Sequence, residues 1–275
     1  ELPDYYLTRC EFEILSKHTA SIAKVFNAEE FDLIELGAGD GKKTKILLKY
    51  LVEKDFDFTY LPIDISQNIL DFLESDLNQQ FPKLRVKPQQ GTYFETLKRL
   101  AEFDSRKKVI MMLGSNIGNL LHDDAVKFLQ NIRKAMNDKD MLFMGFDQKK
   151  NPQTILNAYN DSTGVTEAFN KNILTRINRE LEGNFDPDKF LHWETYNPET
   201  GTAKSFLVSE VAQEIYIKKL DLKVKFAAWE TIHTEISQKY DDSVVEWLAG
   251  KAGLKIQEWF TDEKGFYKNY IFKKH

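Results

Sequence analysis

Short apolar runs alternate with longer stretches whose apolar residues recur every three or four positions through the first half of the chain. Residues 11–26 carry Phe12, Ile14, Leu15, Ile22, Ala23 and Phe26 at helical spacing. The runs at 33–36, 60–63, 109–113 and 141–145 are short and largely apolar, as strands buried on both faces are, and 84–88 is read as a further strand in the alternation. Helices are expected between them, one ending near 54 and others at 68–77, 93–101 and 123–137. This alternation predicts a mostly parallel sheet with helices on both faces. After Phe146-Asp147 the pattern changes. Asn151-Pro152 marks a break, 158–182 reads as one helix, and 203–236 alternates polar with apolar residues, as half-buried antiparallel strands do. A helix over 241–252 and strands over 254–261 and 267–273 return to the first pattern. The expected fold is α/β, a Rossmann-like sheet with an α+β insertion.

Composition narrows the function classes. The 275 residues are 42% hydrophobic and 29% charged, which suits a globular enzyme. A net charge of −5 and a pI near 5.7 argue against a nucleic-acid partner, because phosphate binding needs a cationic field. Cys10 is the single cysteine, so no intrachain disulfide forms, and five histidines without close Cys/His spacing give no metal site. No apolar stretch reaches membrane-spanning length and no secretory signal is visible, so the expectation is a cytoplasmic protein without a membrane partner. The chain starts at Glu1 and not Met, which leaves room for a preceding segment outside this sequence.

The chemistry starts at Phe31-Asp-Leu-Ile-Glu-Leu-Gly-Ala-Gly-Asp-Gly-Lys-Lys-Thr-Lys45. A strand, a glycine turn and a helix in that order bring bare backbone to a ligand at the carboxyl edge of a sheet. A dinucleotide fingerprint reads G-x-G-x-x-G. Here Glu35 precedes glycines at alternate positions, Gly37, Gly39 and Gly41, and that form resembles the first motif of class I S-adenosylmethionine-dependent methyltransferases. A βα turn without a ligand is the alternative. Asp64 closes the next strand, where a carboxylate can accept both ribose hydroxyls; a helix-capping role, in competition with Ser66, is the other reading.

Three further stretches resemble the histidine-specific Nα-methyltransferase family of ergothioneine biosynthesis. They are Leu113-Gly-Ser-Asn-Ile-Gly-Asn119, the run from Ala158-Tyr-Asn-Asp-Ser-Thr-Gly to Leu181 with Asn184-Phe-Asp behind it, and Thr234-Glu-Ile-Ser-Gln-Lys-Tyr240 with Trp259-Phe-Thr-Asp262. Leu2-Pro-Asp-Tyr-Tyr-Leu-Thr-Arg9 matches the same family, so the similarity spans nearly the whole chain. The resemblance implies an S-adenosyl-L-methionine-dependent N-methyltransferase acting on the α-amine of L-histidine, with successive transfers to a trimethylated betaine. It implies a methyltransferase domain over 14–149 and 239–275 and a substrate-binding domain over 1–13 and 150–238. The expected protein is a monomer with a small-molecule partner.

The resemblance also assigns residues. Gly37, Gly39, Lys45, Asp64, Thr92 and Tyr93 are expected to hold the cofactor. Asn119 and Tyr159 are expected at the α-amino acid end of the substrate, with Tyr6 lining the pocket. Without it, Asn119 reads as a turn amide and Tyr159 as a core aromatic. Glu235 and Ser237 sit at alternate strand positions and point the same way, so a carboxylate and a hydroxyl can meet the two nitrogens of an imidazole. An exposed polar strand face is the alternative. Two departures from the family pattern stand out. Gly91-Thr92-Tyr93 replaces the usual Gly-Asp-Phe, putting a weaker acceptor at the adenine position. Ser205 stands where a bulky apolar residue is expected beside the imidazole, which admits another amino acid or an aromatic amine as substrate. A non-catalytic binding protein and an RNA methyltransferase remain as readings from other classes, the latter disfavoured by the acidic balance.

Overall fold

The computed structural model describes residues 5–26, 30–102 and 106–275, so part of the segment 2–9 lies outside the described residues. In chain order the elements are α1 (Leu7–Phe26), β1 (Glu30–Leu36), α2 (Thr44–Glu53), β2 (Asp57–Asp64), α3 (Gln67–Gln80), β3 (Arg85–Val86), β4 (Gln89–Gln90), α4 (Tyr93–Glu102), β5 (Lys107–Met112), α5 (His122–Ala135) and β6 (Met141–Asp147). Next come α6 (Pro152–Tyr159), α7 (Val165–Leu181), β7 (Phe190–Asn197), β8 (Thr202–Ser209), β9 (Gln213–Ile217), β10 (Leu222–Phe226) and β11 (Thr231–Gln238). The chain closes with α8 (Asp242–Ala252), β12 (Leu254–Thr261) and β13 (Tyr267–Lys274).

The chain divides into two compact units, one of residues 7–148 with 240–275, the other of 149–239 with Tyr5 and Tyr6. The larger unit holds one sheet in the order β12-β13-β6-β5-β1-β2-β3, with β4 also on β2. Strands β1 to β6 run parallel and β13 enters antiparallel to β6, carrying β12 with it. Every residue of β6 is buried, which accounts for its uninterrupted apolar run. The core on one face joins Ile34, Ile110 and Leu142 of the strands to Leu129, Leu248 and Phe272. Strands added outward from β1 in both directions place the turns after β1 and β5 at the carboxyl edge where the strand order reverses, the position at which open α/β sheets bind ligands.

The smaller unit has a three-stranded antiparallel sheet, β11-β8-β7, and a β9–β10 hairpin. Leu174 of α7 packs with Phe190, Leu207, Ile215 and Phe226 in its core.

Several boundaries differ from the sequence expectation. The expected helix over 158–182 is two helices. Asp161 accepts hydrogen bonds from the backbone of Val165 (3.1 Å) and Thr166 (2.7 Å), and Gly164 takes φ +74°, so the polar stretch 160–164 caps α7 rather than continuing α6. The strand expected over 84–88 is two short pairings, β3 and β4, around Pro88. β7 was not anticipated, because its Leu191 and Trp193 are exposed and blur the alternation. The domain boundary also moves. Residues 7–13 were expected with the substrate-binding part, yet they begin the unbroken α1 and lie in the larger unit. Its buried stripe is Leu7, Cys10, Glu11, Ile14 and Leu15, while Phe12 is exposed.

Candidate active site

The cofactor side is built at the carboxyl edge of the large sheet. Gly37 N–H donates to Ile63 O at 2.9 Å, which ties the loop after β1 to the end of β2. Gly37 has φ +74°, and a Cβ there would lie 2.5 Å from Tyr93 Oη, so the ring of Tyr93 closes directly over the loop. Gly39, at φ +53°, has nothing within 4 Å of where a Cβ would sit, so its backbone borders open space. Its N–H points to Asp64 Oδ2 at 3.4 Å, a long contact, and Ser66 N–H donates to Asp64 Oδ1 at 3.0 Å. Gly37, Gly39, Asp64 and Tyr93 therefore converge. Burial, and then the charge of Asp64, push the Tyr93 hydroxyl above its ordinary value.

Two expected cofactor residues are engaged elsewhere. Lys45 pairs with Asp76 of α3 at 2.5 Å. Thr92 is exposed and donates its hydroxyl proton to Glu95 at 2.6 Å, as a residue opening a helix does. The lysines behind the loop are all matched by acids, Lys42 with Asp40, Lys43 with Glu11 and Lys45 with Asp76. A loop so neutralised lacks the cationic character of a phosphate cradle. Bare backbone, open space and an acceptor-only carboxylate suit a ribose-bearing cofactor without phosphate, and these residues fit S-adenosylmethionine on those grounds.

Beneath the loop are groups the sequence analysis did not assign. Glu35 is buried and accepts from Thr44 (2.6 Å) and Tyr60, joining β1 to the first turn of α2 and to β2. Burial, partly offset by these two bonds, raises its carboxyl to about 7. Glu11 is fully buried in α1. Its carboxylate pairs with Lys43 and accepts from Gly114 N–H (2.8 Å), Tyr267 (3.1 Å) and Asn269 (2.9 Å). One side chain thus fixes the backbone after β5 and the lysine behind the glycine loop. An acid on the apolar stripe of an amphipathic helix was the available signal.

After β5 the backbone turns sharply, with Gly114 at φ +82° and Ser115 at φ +57°, into the 3-10 turn Asn116–Asn119. Asn119 ends that turn and is exposed, on the larger unit.

The smaller unit collects Tyr159, Glu235 and Ser237. A cavity of about 290 Å³ is lined by Tyr5, Ala158, Tyr159, Val165, Phe169 and Glu235. The ring of Tyr5 meets Tyr159 edge-on at 6.2 Å. Tyr5 and not Tyr6 lines this cavity; Tyr6 is buried, its hydroxyl accepts from Lys150 at 2.8 Å, and that amine lies 4.2 Å from the ring centre. Tyr159 Oη and Ser237 Oγ are 2.7 Å apart. The fully buried Lys239 donates to both, at 2.8 and 2.7 Å.

Register places Ser205 of β8 between Glu194 of β7 and Glu235 of β11, all on one face. Ser205 does not simply vacate space there. It is buried and donates to Glu194 Oε2 at 2.5 Å, while Glu194 Oε1 finds no hydrogen-bond partner among the described residues. Burial raises Glu235, against the Lys239 charge. Burial, with the charge of Glu235, lifts Glu194 to about 7 against the Ser205 bond and Lys239. Glu194 and Lys239 are the residues here that sequence reasoning missed.

The family described as histidine-specific methyltransferase, SAM-dependent, matches residues 1–274. The histidine N-alpha-methyltransferase of Mycolicibacterium smegmatis is 34% identical over 265 residues, 96% of this chain and 81% of that protein. Ergothioneine biosynthesis protein 1 of Schizosaccharomyces pombe is 27% identical over 99% of this chain and 36% of its own length. The 4-dimethylallyltryptophan N-methyltransferase of Claviceps fusiformis is 28% identical over 95% of this chain and 79% of its own. In fold the chain is similar to an S-adenosylmethionine-dependent methyltransferase from Clostridium acetobutylicum, with a TM-score of 0.50 at 14% identity over 96% of this chain and 92% of that one. The extent of the family match and the identity to the mycobacterial enzyme lead to one conclusion: the chain belongs to the SAM-dependent, histidine-specific methyltransferase family.

Proposed function

We propose that the protein transfers methyl groups from S-adenosyl-L-methionine to the α-amino group of L-histidine, and does so successively to the trimethylated betaine. The observation that carries the choice of histidine is the strand face of β11, where Glu235 and Ser237 stand at alternate positions and Ser237 is bonded to Tyr159. An acid and a hydroxyl so placed match the two nitrogens of an imidazole, one donating and one accepting.

In this reading Gly37 and Gly39 give backbone access to the cofactor, Asp64 accepts the ribose hydroxyls, and Tyr93 with Thr92 borders the adenine. Lys45 acts indirectly, holding α2 against α3 through Asp76. Asn119 and Tyr159 bind the α-amino acid end of the substrate, with Tyr5 and Tyr6 as aromatic neighbours. The bound cofactor supplies an electrophilic sulfonium methyl, and the new N–C bond forms as the C–S bond breaks. The chain's own task is alignment of a neutral amine, an effect of proximity and orientation. We place the enzyme in the cytoplasm as a monomer without nucleic-acid partners; its acidic balance supports the absence of nucleic acid, and its single buried cysteine suits a reducing compartment. Among the described residues no helix is long and apolar enough to cross a membrane.

A second amino acid is favoured by one observation, the small Ser205 beside Glu235. Calorimetric titration of the common amino acids, with and without S-adenosylhomocysteine, followed by mass spectrometry of a turnover mixture, separates the readings. The expected result is tight histidine binding and products heavier by one, two and three methyl groups. Glu235→Ala is expected to weaken histidine at least tenfold and leave the cofactor unchanged, and Asp64→Ala to do the reverse. Methylated tryptophan without methylated histidine would replace the assignment.

A further inference from the structure

The two carboxylate oxygens of the buried Glu11 have different kinds of partner. Oε1 accepts from Tyr267 Oη (3.1 Å) and Asn269 Nδ2 (2.9 Å), both on β13. Gly145 of β6 leaves room for it, since a Cβ there would lie 2.5 Å from Oε1. Oε2 accepts from Gly114 N–H (2.8 Å) and from the Lys43 ammonium. These partners fill the acceptor sites of an ionised carboxylate, about four in all. The two donors on Oε2 belong to different loops. Lys43 follows the glycine loop and caps α2, whereas Gly114 opens the turn that ends at Asn119. The ammonium also stands 3.5 Å from where a Cβ on Gly114 would sit, so it lies against that backbone. Both loops are left-handed in part, Gly37, Gly39 and Gly41 at φ +74°, +53° and +65°, Gly114 and Ser115 at +82° and +57°. Glycine takes many conformations at similar energy, so such loops need a tie to hold one of them. One oxygen anchored on the sheet and the other shared by both loops is that tie.

We propose that Glu11 is a positioning residue that couples the cofactor loop to the Asn119 turn, both on the larger unit, so that a bound cofactor tightens the hold on the amino acid. This rests on the reading above, in which the glycine loop meets the cofactor and Asn119 the amino-acid end of the substrate. A ligand that orders a loop loses part of its binding free energy to that ordering. With the loops tied through Oε2, the first ligand orders both, and the second meets a loop already in place. Linkage makes the effect reciprocal, so histidine tightens S-adenosylhomocysteine by the same factor. Cation and acid are both needed. Without the Lys43 ammonium, the carboxylate keeps Gly114 and its anchor on β13 but loses the glycine loop. A glutamine in place of Glu11 presents one acceptor oxygen and cannot serve the sheet and both loops together.

The test is calorimetry of the whole protein with histidine, in the absence and in the presence of saturating S-adenosylhomocysteine. The ratio of the two dissociation constants measures the coupling. It is expected to be at least about fivefold in the native protein and below about twofold in Glu11→Gln and in Lys43→Met. The doubly substituted protein should lose no more than either single variant, because all three cut one tie, whereas two independent structural injuries would add. Tyr267→Phe removes a donor from Oε1 and leaves Asn269 there, so its ratio should stay within about twofold of the native one. An equal loss in Tyr267→Phe would mean general damage to the buried cluster and would overturn the inference. A native ratio near one would overturn it too, as would an undiminished ratio in Glu11→Gln and Lys43→Met, which would place the coupling in direct contact between the ligands. Lys43, with 22% of its side chain exposed, serves if Glu11→Gln does not fold. Absence of histidine binding in both conditions would remove the histidine reading alone, and the ratio is then read with the amino acid that does bind.

Discussion

Glu194 shows how a carboxylate can be held in a state that ordinary solution would not favour. Its environment lifts it from about 4.5 to about 7, chiefly by burial. Between those two values the unfolded chain has released the proton and the folded chain retains it. Folding therefore binds protons there, and stability falls as pH rises from 4.5 to 7, then levels off. Glutamine keeps the shape and has no proton to lose. Glu194→Gln should accordingly raise stability by ~1–3 kcal/mol at pH 8 and by much less at pH 5, read from urea midpoints at the two pH values. An equal effect at both would mean that Glu194 is ionised in the folded protein throughout. Individual side chains were also where the sequence was least legible. The alternation of Glu235 and Ser237 could be read directly, because strand periodicity alone sets their common direction. Glu194 and Lys239 could not, because their importance comes from cross-strand register and from hydroxyls distant in sequence. Tyr5 and Tyr6 are adjacent in an irregular segment, where no periodicity tells which of the two lines a cavity.

At the scale of elements, the strand–loop–helix from β1 to α2 was legible because three levels agree in it: an apolar run, glycines at alternate positions, and an amphipathic helix. The break between α6 and α7 was hidden by apolar residues that continue at helical spacing on both sides. Local side-chain capping by Asp161 overrode that pattern. The glycine loop makes a sharp prediction of its own. Gly37→Ala places a Cβ 2.5 Å from Tyr93 Oη at a φ of +74°. The left-handed conformation alone costs ~1–2 kcal/mol, and Tyr93 must also swing away. We expect a comparable loss of thermal stability and at least a tenfold loss of cofactor affinity. Adding Tyr93→Phe should restore part of the affinity and little of the stability, since it relieves the contact and not the strain. Unchanged cofactor affinity in the single variant would separate the loop from cofactor binding.

At the scale of the whole molecule, the alternating pattern of the first half and the return of a helix and two strands at the end marked the two-part organisation well. The exact seam was not marked, because α1 starts within a segment whose aromatic residues resemble a loop. The seam has a physical consequence. The chain leaves the larger unit after Gln148 and returns at Tyr240, and these two residues form a parallel bridge, with Tyr240 N–H donating to Asp147 O at 2.9 Å. The ends left by removing 149–239 are thus already side by side, so a short glycine-serine joint closes the gap at little entropic cost. Such a shortened chain should fold cooperatively, retain S-adenosylhomocysteine binding by calorimetry, and lose amino-acid binding altogether. Aggregation together with loss of cofactor binding would show that the larger unit depends on the inserted one. For heredity, the geometry means that one gene segment can be exchanged between two fixed neighbouring points, giving the same methyl-donor platform a new repertoire of amines without redesigning its sheet.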